Sequence, residues 1–277
     1  MNILRSFFVA MLVLFLFGCS NSDGKVTTND NPITRADKQR QLVIVETRAA
    51  SYGVFPDVKD TEILKDNTFL EALIAEKANG SAFGVRADGI VFTNVHVIEK
   101  TNFCTVEDPR ESDFFRREKE ENGDVHCLLL KANSSKAYRA KVIKLDKEND
   151  IATLQIEGEM GAFPFLRLAA MGNFAEGAEV LTIGAPLGNT NFMTPGYISN
   201  VNFVMPGQEG AKKSARKLQF SAPVLPGNSG GALVSFATGE VVGQVVAIYM
   251  MNGIPTQMSY ANPVDFLREN LQSIPTK

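Results

Sequence analysis

The stretch LPGNSGGAL, Leu225–Leu233, encloses one serine, Ser229, between glycines and precedes an apolar, strand-like run at 240–246. Glycines weaken both helices and strands, so their density beside core-forming segments indicates an unusual backbone path. Either the stretch is a simple turn, or its backbone amides have a binding role. In acyl transfer two backbone N–H groups must converge on the developing oxyanion, which requires a sharp turn before the nucleophile. We therefore predict that Gly227 makes this turn and that the N–H groups of Gly227 and Ser229 form an oxyanion hole.

A nucleophilic serine needs a base to take its proton and a carboxylate to orient that base. The chain has two histidines. His96 follows a strand-like run in TNVHVI, whereas His126, at the end of a charged loop, is interpreted as structural. Asp150 precedes the apolar run IATL, where a carboxylate can be partly shielded and face an imidazole. The chain order His96, Asp150, Ser229 is one of the known orders of a catalytic triad.

From about residue 80 onward, short runs of β-branched and aromatic residues alternate with Gly, Asn, Pro and Asp, which is typical of an all-β protein. Many short strands without intervening helices favour a barrel or a sandwich. Helical spacing of apolar residues returns only at 263–271. Residues 50–79 fit a helix or a strand equally well. The predicted strands are 81–85, 89–93, 140–145, 151–156, 179–184, 196–201, 217–221 and 240–246.

Several separate motifs resemble the protease domain of the HtrA/Deg trypsin-like serine proteases over roughly residues 80–271. They are GSAFG at 80–84, TNVHV at 93–97, NDIATL at 149–154 and PGNSGGAL at 226–233. The resemblance implies a chymotrypsin-like double β-barrel with the active site between the barrels. It also implies that His96 is the general base, Asp150 orients it, Ser229 attacks and Gly227 contributes to the oxyanion hole. The chain departs from the family pattern at Val95, where a small or amide residue is usual.

The same resemblance implies that the substrates are proteins or peptides and that catalysis needs neither a cofactor nor a metal. It leaves open whether the chain assembles as a homotrimer. We expect no PDZ domain, because the chain ends soon after Leu271. Counting back from the nucleophile, we predict that Pro223, Val224 and Leu225 line the S1 pocket, opposite 245–248 and residues near Met258. Neither a carboxylate nor a histidine occurs there, which favours a small or medium aliphatic P1 residue.

The N-terminus predicts export. The apolar run Phe7–Gly18 follows a single basic residue and is too short to span a bilayer, as in a secretory signal at 1–18. The sequence LFGC ending at Cys19 resembles a bacterial lipobox, which implies lipidation of Cys19 and, with Ser20 following, an outer-membrane anchor on the periplasmic side. The alternative is an ordinary signal peptide. We predict a flexible tether at 19–40 and a protease domain at 41–277.

The net charge bears on binding partners, and the cysteines bear on a disulfide. The formal net charge of −3 becomes −4 when a leader containing Arg5 is removed, which gives no reason to expect a nucleic-acid partner. In an oxidising compartment Cys104 and Cys127 can form a disulfide at the base of the charged segment between them. The alternative is two unpaired, partly buried thiols.

The leading hypothesis is therefore a lipid-anchored periplasmic serine endopeptidase that acts on unfolded or misfolded envelope proteins. A second hypothesis is a chaperone-like binding protein that kept the barrels and lost turnover. A third is a protease that stays inactive until a partner or substrate orders its loops, with Met205–Lys217 as the candidate mobile segment. That segment is equally well explained as a solvated loop.

Overall fold

The computed structural model of the chain describes residues 34–276 apart from 56, 58–79, 103–124, 135, 159–160, 171, 187–190, 205–214 and 252–253. Its strands form two closed antiparallel barrels. Closing a sheet on itself removes the unpaired edges that an open sheet would expose. Among the described residues, no helix has both the length and the apolar character that crossing a bilayer requires.

Barrel 1 contains the first six strands in the order β1-β2-β3-β6-β5-β4, and pairing of β1 with β4 closes it. Successive side chains of a strand point to opposite faces, so the same strands contribute to the interior of barrel 1 and to the core between the two barrels. In β3, Val91 points into barrel 1, whereas Ile90 and Phe92 point to the core between the barrels. The strands are β1 (Ser51–Phe55), β2 (Gly80–Arg86), β3 (Ile90–Thr93), β4 (His126–Lys131), β5 (Ala137–Asp146) and β6 (Ile151–Ile156).

Barrel 2 has the order β10-β11-β12-β9-β8-β7, closed by pairing of β10 with β7. Leu218, Phe220 and Leu233 are among the side chains that fill its interior. The strands are β7 (Glu179–Gly184), β8 (Phe192–Val204), β9 (Arg216–Phe220), β10 (Ala232–Ser235), β11 (Val241–Met251) and β12 (Ile254–Pro263).

The helices are α1 (Arg35–Ala49), α2 (Val95–Asn102) and α3 (Val264–Gln272). A third apolar cluster joins both barrels to α1, through Val43, and to α3, through Phe266. Arg40 on α1 also forms an ion pair with Glu179 and lies 4.5 Å from the ring centre of Phe236. The two terminal helices therefore pack on the body formed by the two barrels.

The predicted all-β double barrel with a C-terminal helix is confirmed. One boundary was wrong: α1 begins at Arg35, so residues 35–40, expected in the flexible tether, are helical. Its apolar side chains lack a clear helical period, and Val43 is buried by contact with residues distant in the sequence, which local patterns do not reveal. Strand β1 occupies the start of the ambiguous segment 50–79, and β4, β10 and β12 were not anticipated.

Candidate active site

The three predicted catalytic residues lie at the ends of elements on both barrels. His96 is the second residue of α2, which begins one residue after the end of β3, and Asp150 immediately precedes β6. Both therefore belong to barrel 1. Ser229 belongs to the turn that leads into β10 of barrel 2. Assembly of the site consequently requires the two barrels to dock.

Both carboxylate oxygens of Asp150 contact His96. Oδ1 accepts the backbone N–H of His96 at 3.0 Å, and Oδ2 lies 2.7 Å from the ring Nδ1. A carboxylate can only accept, so Nδ1 carries a proton, and in the neutral ring Nε2 keeps its lone pair. This is the tautomer that a general base needs. The predicted pairing of His96 with Asp150 is present in the structure.

The turn that holds Asp150 has an uncommon backbone conformation. Asp150 has a φ of 57°, in the left-handed region that few residues other than glycine adopt. The side-chain amide of Asn94 donates to its carbonyl oxygen at 2.8 Å. Asp146 accepts from both the backbone and the side chain of Asn149, at 3.1 and 2.8 Å, and from Asn270 of α3 at 2.7 Å. Several hydrogen bonds thus stabilise a conformation that is costly in isolation.

The pKa of Asp146 depends on these contacts. Burial alone would raise the pKa of its carboxyl group, but the hydrogen bonds from Asn149 and Asn270 outweigh that effect and lower the pKa below its ordinary value. The ionised form of Asp146 is therefore the one that supports the turn.

Gly227 makes the sharp turn that the sequence predicted. The N–H of Asn228 donates to the carbonyl of Leu225 at 2.9 Å, and Gly227 between them has a φ of 104°. A β-turn with a positive φ at its third residue demands glycine. A Cβ at Gly227 would also lie 2.8 Å from the carbonyl oxygen of Ala185. Both the backbone conformation and the available space exclude a side chain here.

Among the described residues, no acceptor takes the backbone N–H of Gly227 or of Ser229. The N–H groups of Asn228, Gly230 and Gly231 are all bonded within the protein. Two donors thus remain for an oxyanion on the stretch where the sequence predicted them.

Ser81 of β2 holds this loop from the other barrel, a role that the sequence did not reveal. Its hydroxyl donates to the carbonyl of Gly227 at 2.6 Å and accepts from the N–H of Ala185 at 2.8 Å. Its backbone N–H donates to the carbonyl of Ser229 at 2.7 Å. These contacts fix the carbonyls of both predicted oxyanion-hole residues, and therefore the path of the loop. Its place in the motif GSAFG was the only available signal.

The predicted nucleophile, Ser229, is not hydrogen-bonded to the predicted base, His96. The hydroxyl of Ser229 donates to the carbonyl oxygen of Val246 on β11 at 3.2 Å, and no hydrogen bond to His96 occurs in the described part of the chain. Transfer of its proton to Nε2 of His96, as the predicted triad requires, would need the hydroxyl to turn away from Val246. Catalytic hydrogen bonds are often absent until substrate binds.

The predicted pocket residues differ in accessibility. Pro223 is exposed and Leu225 is 37% exposed, as is Met258 at 42%. Val224 is only 3% exposed and packs against the core of barrel 2. Its place at the base or wall of the S1 pocket stays a prediction.

The remaining predicted sites lie partly or wholly outside the described residues. Cys127 is fully buried on β4, but Cys104 lies outside, so the disulfide stays a prediction. Cys19 and most of Met205–Lys217 also lie outside. His126 sits on β4 with Nε2 3.3 Å from Glu157 Oε2, apart from the His96–Asp150 pair.

Comparison with known proteins gives a consistent result. A family model described as a trypsin-like peptidase domain matches residues 80–243. A probable periplasmic serine endoprotease, DegP-like, from Pseudomonas fluorescens is 31% identical over 186 residues, which cover 67% of this chain and 33% of the relative. The serine protease HTRA1 of Xenopus tropicalis is 26% identical, covering 90% of this chain and 49% of the relative.

These relatives are longer proteins, and the chain spans between a third and a half of their length. Among solved structures, the crystal structure of Deg5 aligns with a TM-score of 0.58 at 20% identity, covering 85% of this chain and 93% of that one. At that identity the likeness concerns the fold.

Proposed function

Because the chain belongs to the trypsin-like peptidase family, as a serine protease of the HtrA/Deg type, we propose that it is an endopeptidase that cleaves unfolded or misfolded proteins of the bacterial cell envelope. The observation that carries the proposal is the combination at one site of an oriented histidine and two available N–H donors. Asp150 fixes the tautomer of His96, and Gly227 and Ser229 leave their N–H groups to a ligand.

The chemistry follows from this geometry. Nε2 of His96 takes the proton of Ser229 as Oγ bonds to the substrate carbonyl carbon, and the N–H groups of Gly227 and Ser229 bind the oxyanion. Collapse breaks the C–N bond, and His96 gives its proton to the departing amine. A water molecule, deprotonated by His96, then cleaves the ester and restores the Ser229 hydroxyl. Asp150 stabilises the imidazolium in both steps.

The resting hydrogen bond from Ser229 to Val246 favours a second candidate, an enzyme that becomes competent only when a substrate or partner engages the site. A substrate N–H that approached the Val246 carbonyl would compete with the Ser229 hydroxyl for this acceptor. Displacement of the Ser229 hydroxyl from that carbonyl would free it to meet His96. Substrate binding and nucleophile activation would thereby be coupled.

A comparison of casein cleavage by residues 20–277 and by the Ser229→Ala variant tests the proposal. We expect cleavage by the wild-type chain alone, and labelling of Ser229 by a fluorophosphonate, which reports the activated serine directly. Equal cleavage by both chains would refute Ser229 as the nucleophile. Labelling that appears only when an unfolded protein is added would favour the substrate-activated enzyme.

Specificity and location complete the proposal. The exposed apolar surfaces of Leu225 and Met258 suit a small or medium aliphatic P1 side chain, and a peptide library with strongest cleavage after Arg or Glu would contradict this preference. The name of the Pseudomonas relative supports a periplasmic location. The proposed lipid anchor predicts that Cys19→Ser releases the chain from the membrane fraction, and unchanged fractionation would exclude it.

A further inference from the structure

A polar cluster from barrel 2 lies behind the catalytic carboxylate. Its members are Lys217 on β9, Gln244 on β11 and Asn262 on β12, and we refer to the three as the amide bracket. We infer that Lys217 is a positioning residue that acts through the amide of Asn262 to hold the 149–150 turn and hence Asp150 in place. This inference rests on the function proposed above.

Hydrogen bonds lead from Lys217 to the turn without interruption. Nζ of Lys217 donates to Oδ1 of Asn262 at 2.9 Å, and Nδ2 of Asn262 donates to the carbonyl of Asn149 at 2.7 Å. The same Nδ2 also lies 3.3 Å from Oε1 of Gln244. The backbone immediately before Asp150 is therefore tethered to barrel 2.

A second branch reaches Asp150 itself. Oε1 of Gln244 accepts from Nδ2 of Asn94 at 3.1 Å, and that nitrogen also donates to the carbonyl of Asp150 at 2.8 Å. Both carbonyls of the turn are thus held by amides that share Gln244 as an acceptor. The left-handed conformation at Asp150 depends on contacts from both barrels.

Donor and acceptor chemistry gives each amide one orientation. An ammonium group can only donate, so Lys217 fixes the oxygen of Asn262 toward itself and the –NH₂ toward Asn149. Reversing Asn262 would place two donors face to face at Lys217 and two oxygens face to face at Asn149. Lys217 therefore determines which atom of Asn262 meets the turn.

The bracket is costly for stability, which argues that it serves the site. Gln244 and Asn262 are fully buried, and in the described part of the chain Nε2 of Gln244 and Oδ1 of Asn94 have no hydrogen-bond partner. A buried polar atom without a partner costs free energy that an apolar side chain of similar size would not. Burial also lowers the pKa of Lys217, whereas the negative charge of Asp150 opposes this shift, so the two charges influence each other.

The decisive experiment observes His96 directly, without requiring turnover. The full-length chain labelled with ¹⁵N-histidine has two imidazoles, and His126 serves as an internal reference. In the wild type we expect a strongly downfield proton on Nδ1 of His96, bonded to Asp150. Lys217→Met should shift or broaden this resonance and leave that of His126 unchanged, whereas Lys217→Arg, which keeps a donor-only group, should restore it.

Kinetics provide the second readout. If Asp150 is displaced by a fraction of an ångström, kcat of Lys217→Met should fall about 10- to 100-fold with little change in KM. Asn262→Asp removes the donor to Asn149 while keeping the size of the side chain and a partner for Lys217, and it should show the same loss. Lys136→Met is the matched control, because Lys136 lies between β4 and β5, where its Nζ is 5.0 Å from the ring centre of Tyr138.

The outcomes separate this inference from the proposed function. An unchanged His96 resonance in both Lys217→Met and Asn262→Asp refutes the positioning role, whether or not the chain is a protease. A wild-type chain that shows the downfield resonance but cleaves nothing refutes the proposed function and leaves the resonance to decide the positioning role. If Lys217→Met does not fold, Asn262→Asp and Lys217→Arg decide the question.

Discussion

Substitution of Asp150 by asparagine tests the core of the site, because the structure leaves the new amide only two orientations. If the amide oxygen keeps the backbone N–H of His96, the –NH₂ faces Nδ1 and forces the proton onto Nε2, so the ring cannot act as a base. If the amide reverses, –NH₂ faces the backbone N–H across 3.0 Å. That contact of two donors costs about 1–3 kcal/mol, which alone lowers the productive population by about 5- to 150-fold.

Loss of the negative charge beside the imidazolium adds to this deficit. We expect kcat/KM of Asp150→Asn to fall by about 10⁴, or about 5.5 kcal/mol of transition-state stabilisation, with the fold intact. Hydrolysis of a fluorogenic peptide and the rate of fluorophosphonate labelling measure the loss. Asp88→Asn, in the β2–β3 hairpin, controls for removal of a carboxylate elsewhere in barrel 1. A loss below tenfold would mean that Asp150 does not set the tautomer of His96.

Three further predictions concern stability and covalent structure. Gly230 has a φ of 89° and an added Cβ would lie 2.1 Å from a carbonyl oxygen of barrel 1, so Gly230→Ala should lower the free energy of unfolding by about 3 kcal/mol or more. Gly172→Ala, with a φ of 83° and open space around it, should cost only about 1–2 kcal/mol in urea unfolding, and equal losses would refute the steric argument. Because the pKa of Asp146 lies below its ordinary value of 3.8, Asp146→Asn should destabilise the chain near neutral pH, with a deficit that shrinks as the pH falls below about 4. A deficit independent of pH would contradict this. A disulfide between Cys104 and Cys127 predicts no change of mass when denatured, unreduced residues 20–277 are treated with a thiol reagent, and two adducts would exclude it.

The fold was predictable because its strands carry their own signals. The segments 151–156 and 179–184 were predicted with the same bounds as β6 and β7, since each is a compact apolar run between turn residues. Strand β4 was missed because HCLLLK follows a long charged segment and has no alternating pattern. Helix α1 was missed because its buried side is defined by contacts with residues distant in the sequence.

The candidate catalytic residues could be proposed from the sequence for a different reason. A histidine, an aspartate and a serine between glycines each carry chemistry that few alternatives in this chain could supply. Ser81, Gln244 and Asn262 could not be found in this way. Serine and amide side chains are common in strands, and only the pairing of distant strands brings these three to the site.

The contacts around Gly230 explain why the geometry of the proposed active site depends on docking of the two barrels. The hydrogen of Gly230 in place of a side chain allows the serine loop to approach Ser81 and Thr93 of barrel 1, where a Cβ would lie within 2.5 Å of both. At that distance Ser81 can hold the carbonyls of Gly227 and Ser229. In the other direction, Asn262 of barrel 2 donates a hydrogen bond to the turn that contains Asp150 on barrel 1. Each barrel therefore orients the candidate catalytic group that the other supplies, and a shift between the barrels would displace Ser229 and the Asp150–His96 pair together.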